Sequence, residues 1–395
     1  MLKTLKDFNF QDKKVLVRCD FNVPVEKGKV LDDFKIQKSL ETIKYLKDAG
    51  GKIILISHLG RPQEAGGKKE RLRQYSLKPI KEKLEELLGE EIRFAEEVLG
   101  RGVKKEIEGL AKGKILLLEN LRFEKGEEEN DEKFAKSLAE LADCYVSEAF
   151  GVSHRAHASL VALPQLLPHF AGFGLKKEIE VLSKIAEAPA RPLCLIIGGV
   201  KIDSKIKMIE KFLKFADHII FGGEIANTIL TVKGICIGRP WPEENVRNVI
   251  EKINLTDPKV HLPVDVLASP DETGEVYIRE TGPGNVRKEE KILDIGAETI
   301  TVFSEIIKHA ETLFWSGPLG YFENEKFAQG TKKIAEVLSK NSRALRVVGG
   351  GDTISALRKF NLLDNFSFVS TGGSAMLEFL AGEKLPGIEA LEDNS

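Results

Sequence analysis

The stretch GGGDT, at 349–353, follows the largely apolar run Leu345–Val348 and precedes a helix-like segment. Glycines at a strand-to-helix turn let the backbone close around a phosphate, whose charge a helix N-terminus favours. Asp352 then stands where an anion should sit, so a cation between the two anions is expected. Two readings of Asp352 stay open: with Thr353 it can cap the helix, or it can hold Mg²⁺ against nucleotide phosphates. In GGVKIDSK, at 198–205, Lys201 and Lys205 are four residues apart. On a helix they would share one face, with Ile202, Ile206, Ile209 and Leu213 buried opposite. Glu323, just after a Gly-Pro turn, is either an acceptor for ribose hydroxyls or a solvated carboxylate.

The first half offers a different chemistry. Its apolar runs end in DFNVP (20–24), SHLGRP (57–62), ENLRF (119–123) and SHRAH (153–157). Arg61, Arg122 and Arg155 each follow such a run, and guanidinium forks at strand ends suit an anion. Asp20 and Asn22 can bind hydroxyl groups of the same ligand, and His58 adds a donor. His154 and His157 have no acidic or thiol partner at metal spacing, so a zinc site is not expected there.

These side chains need elements to hold them. The runs in LCLIIGG, HIIFGG, TLFWSGPLG, LRVVGGG and FVSTGG are largely apolar, then stop in glycine. They read as strands of a parallel sheet covered on both faces, whose turns all fall along the carboxyl edge. Similar runs at 13–24, 52–62, 114–123 and 143–157 predict a second such sheet. The two sheets would bind phosphates with backbone in one lobe and an anion with side chains in the other. GFGLKKEIEVLSKIAEAPARP (172–192) reads as glycines, one helix with Leu175, Ile179, Leu182 and Ile185 on a stripe, and a proline-containing exit: a connector with flexible ends. The segments 63–73 and 124–133 read as exposed charged loops. KVHLPVDVLA and EVYIRE, flanking SPDETG, predict an antiparallel excursion. At 395 residues the chain is long enough for two or three domains. A net charge of −2 gives no footing for nucleic acid or a membrane surface. No apolar run approaches the roughly 18 residues of a spanning helix. The start lacks an apolar signal core, and the four cysteines read as buried thiols of a reducing cytoplasm.

With DFNVP, SHLGRP, ENLRF, AFG with HRAH, the glycine pair with its two lysines, LDIG (293–296), GPLG with FE (317–323), GGGDT and STGG (370–373) in view, the sequence resembles the phosphoglycerate kinase family nearly end to end. The resemblance implies an α/β fold of two doubly wound, Rossmann-like parallel-sheet domains facing each other across a cleft. It places an N-terminal substrate domain at 1–171, a hinge helix at 172–192 and a nucleotide domain at 193–381, with the tail 382–395 packing back on the first domain. It implies reversible phosphoryl transfer from 1,3-bisphosphoglycerate to ADP with Mg²⁺, giving 3-phosphoglycerate and ATP, after domain closure. Asp20, Phe21, Asn22, Lys35, His58, Leu59, Gly60, Arg61, Arg122 and Arg155 would bind the glycerate. Gly199, Lys201, Lys205, Gly222, Gly223, Gly296, Pro318, Glu323, Gly350, Gly351, Asp352 and Thr353 would bind the nucleotide, with Asp352 on the metal. Lys35, Lys201, Lys205, Gly351 and Gly373 would surround the moving group. The expected partners are small molecules, with no nucleic acid and no membrane, and the chain is expected to be a cytoplasmic monomer.

Some positions depart from the family pattern. Lys35 stands where an arginine is usual, Ser147 and Glu148 replace an Asn-Asp pair, and Ser316 replaces an asparagine. Glu224 and Ser374 replace glycines. A homologue that binds both ligands without turnover is the alternative these changes raise. A ligase forming an acyl phosphate shares the same general logic of glycine turns and basic strand ends.

Overall fold

A strand that is apolar at every position leaves no face for water and must be covered on both sides. Cys144–Glu148 and Leu193–Ile197 are buried throughout, and Lys14–Cys19 and Lys52–Ile56 at every position but the first. The computed structural model describes residues 2–64, 67, 70, 74–235 and 244–392. The chain forms two compact units, Met1–Glu180 with Lys384–Ser395, and Val181–Glu383. The division falls inside the helix Phe173–Glu187.

The first unit holds a six-stranded parallel sheet in the order Arg93–Phe94, Ile115–Leu117, Lys52–Ile56, Lys14–Cys19, Cys144–Glu148, His169–Ala171. Helix Phe34–Asp48 covers it with Ile36, Ile43 and Leu46, spaced to keep one face inward. Each such side chain contributes about 2 kcal/mol by leaving water. Register decides what reaches the carboxyl edge. Arg18 pairs with Ile56 and with Ser147, so Asp20, His58 and Glu148 emerge together.

The second unit repeats the plan in the order Val260–His261, His218–Phe221, Leu193–Ile197, Thr312–Ser316, Leu345–Gly349, Phe368–Val369, again all parallel. Ile197 pairs with Phe221 and Ser316, and Ser316 with Gly349. Gly198, Gly222, Gly317 and Gly350, the residues that follow, therefore line one edge.

Several expectations need correction. The excursion is a three-stranded antiparallel sheet of Arg279–Thr281, Val266–Ser269 and Lys291–Ile295, while Val260–His261 joins the main sheet. The short edge strands Arg93–Phe94 and His169–Ala171 have no apolar run long enough to announce them. The turn after Thr312–Ser316 does not lead directly into an α-helix; the 3₁₀ turn Glu325–Phe327 and then the α-helix Gln329–Lys340 follow it. The acidic run 124–133 is not simply a solvated loop. It contains the helix Lys125–Glu128 and the start of Glu132–Ala139, and Glu127 is fully buried. Much of 63–73 lies outside the described residues. Cys19, Cys144 and Cys194 are buried and unpaired, with burial raising each thiol's pKa, Cys144's to about 12. Cys236 lies outside the described residues.

Candidate functional site

Three turns interlock at the carboxyl edge of the first sheet. Asp20 Oδ1 accepts from the Asn22 amide at 3.1 Å, and Oδ2 accepts from Lys35 Nζ at 2.8 Å. Asn22 Oδ1 accepts from the Gly60 amide at 2.9 Å, and the Gly60 carbonyl accepts from Arg122 Nη1 at 2.7 Å. Gly60 has φ +59°, and a Cβ there would overlap the Tyr75 ring, so the turn requires glycine. Phe21 and Leu59 are buried and act through backbone: Phe21 N donates to Ser57 Oγ at 2.9 Å, and Leu59 O accepts from Asn120 Nδ2 at 2.8 Å. Arg122 is buried, and its Nε lacks an aligned hydrogen bond although Glu128 Oε1 lies 3.2 Å away. An under-satisfied guanidinium at low exposure favours an arriving anion.

Burial and neighbouring cations keep the histidines here neutral. The pKa of His58 is held well below its ordinary value by burial, then by Arg18 and Arg122. Burial, followed by Arg155, brings His154 to about 4; burial, followed by Arg122 and Arg18, brings His157 to about 3. Arg155 Nε lies 3.1 Å from His154 Nε2. Arg61 stands apart from this cluster, exposed and paired with Glu64 at 3.3 Å. The sequence reading missed Arg18, which is fully buried and reaches His58 Nδ1 at 3.3 Å. Its one signal was a charge inside an otherwise apolar strand, KVLVRC.

In the second unit the glycine turns stack on one another. Gly198 N donates to Ser316 O at 3.0 Å, Gly199 N to Pro318 O at 2.7 Å, and Gly223 N to Leu319 O at 3.0 Å. A Cβ on Gly198 or Gly317 would overlap the opposing backbone. Lys201 and Lys205 do not share a helix face, because the α-helix starts at Ile206 after the turn Asp203–Lys205. Its buried stripe is Met208, Ile209 and Phe212, while Ile206 and Leu213 are half-buried. Lys201 is exposed. Lys205 is buried, and its Nζ donates to Gly198 O at 2.5 Å and to Ser316 O at 3.1 Å. Burial lowers its pKa to about 8, against the opposing pull of Asp352.

Neither Asp352 nor Thr353 caps a helix: Gly350, at φ +96°, holds the N-cap of Gly351–Lys359, and no side chain caps it. Thr353 Oγ1 instead ties two turns, accepting from Gly317 N at 2.7 Å and donating to Gly349 O at 3.1 Å. Helices Gly223–Val232 and Ser374–Ala381 also start at bare glycines, Gly222 and Gly373. All three present the positive end of the helix dipole, although the Gly223 and Ile225 amides are taken by Leu319 O and Gly199 O, and the Ala375 amide by Gly372 O. Gly351 and Gly373 have open space where a Cβ would stand. Gly296 differs, because the helix it begins is already capped by Asp265, which accepts from Glu298 N at 3.0 Å and Thr299 N at 2.7 Å.

A cavity of about 580 Å³ adjoins these turns, lined among others by Gly199, Gly223, Glu224, Pro318, Glu323 and Asp352. Lys359 Nζ fixes the Glu323 backbone, donating to Phe322 O at 2.8 Å and Glu323 O at 3.0 Å. Glu224 does line this cavity, and its carboxylate accepts from Asn227 Nδ2 at 3.2 Å. Asp294, also on the wall, is held by the Gly330 and Ile295 amides, and burial raises its carboxyl to about 7. For a divalent cation Asp352 offers an exposed carboxylate near the start of Gly351–Lys359, on a cavity wall that Glu224, Asp294 and Glu323 share. That suits Mg²⁺, which takes one or two carboxylates and completes its shell with phosphates and water.

The model of a family described as phosphoglycerate kinase matches residues 5–383. A phosphoglycerate kinase of Finegoldia magna is 43% identical, with 99% of each chain covered. One of Borrelia garinii is 42% identical at the same coverage. Among solved structures, the phosphoglycerate kinase of Coxiella burnetii superposes with a TM-score of 0.85 at 36% identity, covering 99% of both chains. That of Pyrococcus horikoshii gives 0.87 at 32% identity, covering 99% of this chain and 98% of the other.

Proposed function

This chain belongs to the phosphoglycerate kinase family, and on that premise we propose that it transfers a phosphoryl group reversibly between 1,3-bisphosphoglycerate and ADP, giving 3-phosphoglycerate and ATP, as a Mg²⁺-dependent step of glycolysis. The observation that carries the reading is Lys205, a buried ammonium held by two carbonyls where the glycine turns converge. Phosphoryl transfer needs little covalent chemistry from a protein, only in-line positioning and stabilised charge.

In this reading the first unit holds the glycerate. Arg122, Arg155, His58 and Lys35 face its phosphate and carboxylate, Arg61 joins them by leaving its exposed pair with Glu64, and Asp20 and Asn22 bind its hydroxyl. The bare starts of the helices at Gly222, Gly350 and Gly373 bind nucleotide phosphates, and Lys205 and Lys201 follow the moving group. Asp352 would hold Mg²⁺, which neutralises charge on the phosphate chain. Glu323 and Pro318 border the nucleoside. The acceptor in the ATP-consuming direction is the substrate's own carboxylate, ionised at neutral pH, so no general base is required. Donor and acceptor are bound by different units, and transfer requires them to close on one another and exclude water that would otherwise take the phosphoryl group. We assign the hinge to 172–192.

Lys35 replaces the usual arginine and keeps the charge without the fork. Its ion pair with Asp20, at 2.8 Å, supports a placement suited to the same task. A coupled assay with 3-phosphoglycerate, ATP and Mg²⁺ tests the function. Turnover is expected, and Lys205→Ala is expected to lose at least about 100-fold in kcat. Wild-type turnover in that variant would remove Lys205 from the mechanism, and no turnover by the native chain would overturn the reading.

A further inference from the structure

The acidic run EKGEEENDEK contributes one residue that water never reaches. Glu127 is fully buried, as are Ser159 and Arg18. Ser159 meets the carboxylate twice, with its amide 2.9 Å from Oε2 and its hydroxyl 2.6 Å from Oε1. A carboxylate only accepts, so the single Ser159 hydroxyl proton points at Glu127. The same oxygen must then accept from Arg18 Nε, 2.8 Å away. Arg18 Nη1 donates to the Cys19 carbonyl, and Nη2 lies 3.8 Å from Glu127 Oε1 and 3.3 Å from His58 Nδ1. Guanidinium has no lone pair to offer, so Nδ1 is the acceptor and carries no proton.

We infer that Glu127, Ser159 and Arg18 form a buried relay that fixes His58 as a neutral imidazole with its single N–H on Nε2. Each proton along the chain has one allowed direction, and the last step leaves Nε2–H as the ring's only donor. Resting on the substrate reading above, that donor is what His58 offers to the phosphoglycerate anion. The charged groups around the ring act the same way. Burial is the first thing to oppose a second proton on His58, followed by Arg18, Arg122 and Lys35, all cationic, and least of all by His157. Glu127 faces Arg18 and His157, with Oε1 3.9 Å from His157 Nδ1, so it balances the guanidinium rather than drawing a proton onto His58. Glu127 is a positioning residue: it acts on the ligand through Ser159, Arg18 and His58.

The test is a ¹⁵N spectrum of the histidine rings in the full chain without ligand, with His58 assigned by its loss in His58→Asn. The expected result is a protonated Nε2 and a bare Nδ1, unchanged from about pH 6 to about pH 8. An Nδ1–H ring, or titration near about 6.5, would overturn the relay. Ser159→Ala breaks the chain while keeping the Arg18–Glu127 charge pair. It is expected to mix the two tautomers and raise KM for 3-phosphoglycerate about tenfold, with KM for ATP unchanged. Glu127→Gln should do the same, although it leaves Arg18 buried without its counter-charge and can cost the fold. The wild-type spectrum and Ser159→Ala keep the test decisive in that case. An unchanged ring spectrum in a folded Ser159→Ala chain overturns the positioning role. Failure of the native chain to use 3-phosphoglycerate would instead overturn the substrate reading, leaving the ligand-free ring spectrum to decide the relay.

Discussion

At the scale of a residue, Lys205 shows how burial brings the titration of a common surface side chain down toward neutral pH. Its folded pKa of about 8 lies below the ordinary lysine value of 10.5 because burial disfavours the charge. Between those values the unfolded chain binds more protons than the folded one, so stability rises with pH across that window. Below about 8 the folded chain carries the full cost of the buried ammonium. A phosphate beside Nζ favours the charged form and reverses the shift. Binding of MgADP near pH 8 is therefore expected to draw about half a proton from solution. Calorimetry in buffers of different ionisation enthalpy reads this uptake directly. It should fade toward pH 6.5 and vanish in Lys205→Met. An uptake that persists in that variant would assign the proton to another group.

At the scale of an element, the helix Phe173–Glu187 begins on a buried carboxylate. Glu148 accepts from Thr42 Oγ1 at 2.7 Å and from the Gly174 and Leu175 amides, and the Phe173 amide reaches Thr42 Oγ1 at 2.9 Å. Burial raises the Glu148 carboxyl to about 8. A Cβ on either Gly172 or Gly174 would overlap that carboxyl group. Gly172→Ala is expected to lower stability by about 1–3 kcal/mol, the usual cost of overpacking. The control is Gly102→Ala, on the exposed face of helix Arg101–Glu108 with open space around it. There the change should stabilise by about 0.5–1 kcal/mol through helix propensity. Denaturant unfolding of both variants measures the opposite signs, and a neutral Gly172→Ala would mean the carboxylate moves aside freely. The glycines at 172 and 174 were legible as the start of a connector, because glycine before a helical stripe is a local signal. Their reason was not, since Glu148 is contributed by a strand more than twenty residues earlier. Lys201 and Lys205 misled for the converse reason. Their spacing fits an α-helix, but the tight turn Asp203–Lys205 consumes that spacing before the helix starts.

At the scale of the molecule, each unit has its own parallel sheet and its own carboxyl edge. That much followed from sequence, since long apolar runs leave parallel sheets as the consistent arrangement, and polar clusters in the first unit and glycines in the second mark their carboxyl ends. The buried polar network of the first unit did not follow. Glu127 joins Ser159 across 32 positions and Arg18 joins Ser159 across 141, distances that no local pattern reports. Two separate edges carry a consequence for ligand binding. A ligand stabilises the state it binds, by about 2.7 kcal/mol at 100 times its Kd, and local opening of its own site is suppressed first. Hydrogen exchange of the intact chain, followed by mass spectrometry, is therefore expected to respond in two blocks. 3-Phosphoglycerate alone should slow the turns at 20–24, 57–62 and 119–123. MgADP alone should slow the starts of Gly223–Val232, Gly351–Lys359 and Ser374–Ala381, each of which has a glycine at its N-cap. Both together should add protection around 172–192, where the connector is proposed to bend. If either ligand alone protects both blocks equally, the two units do not bind independently, and the assignment of donor and acceptor to separate sheets fails.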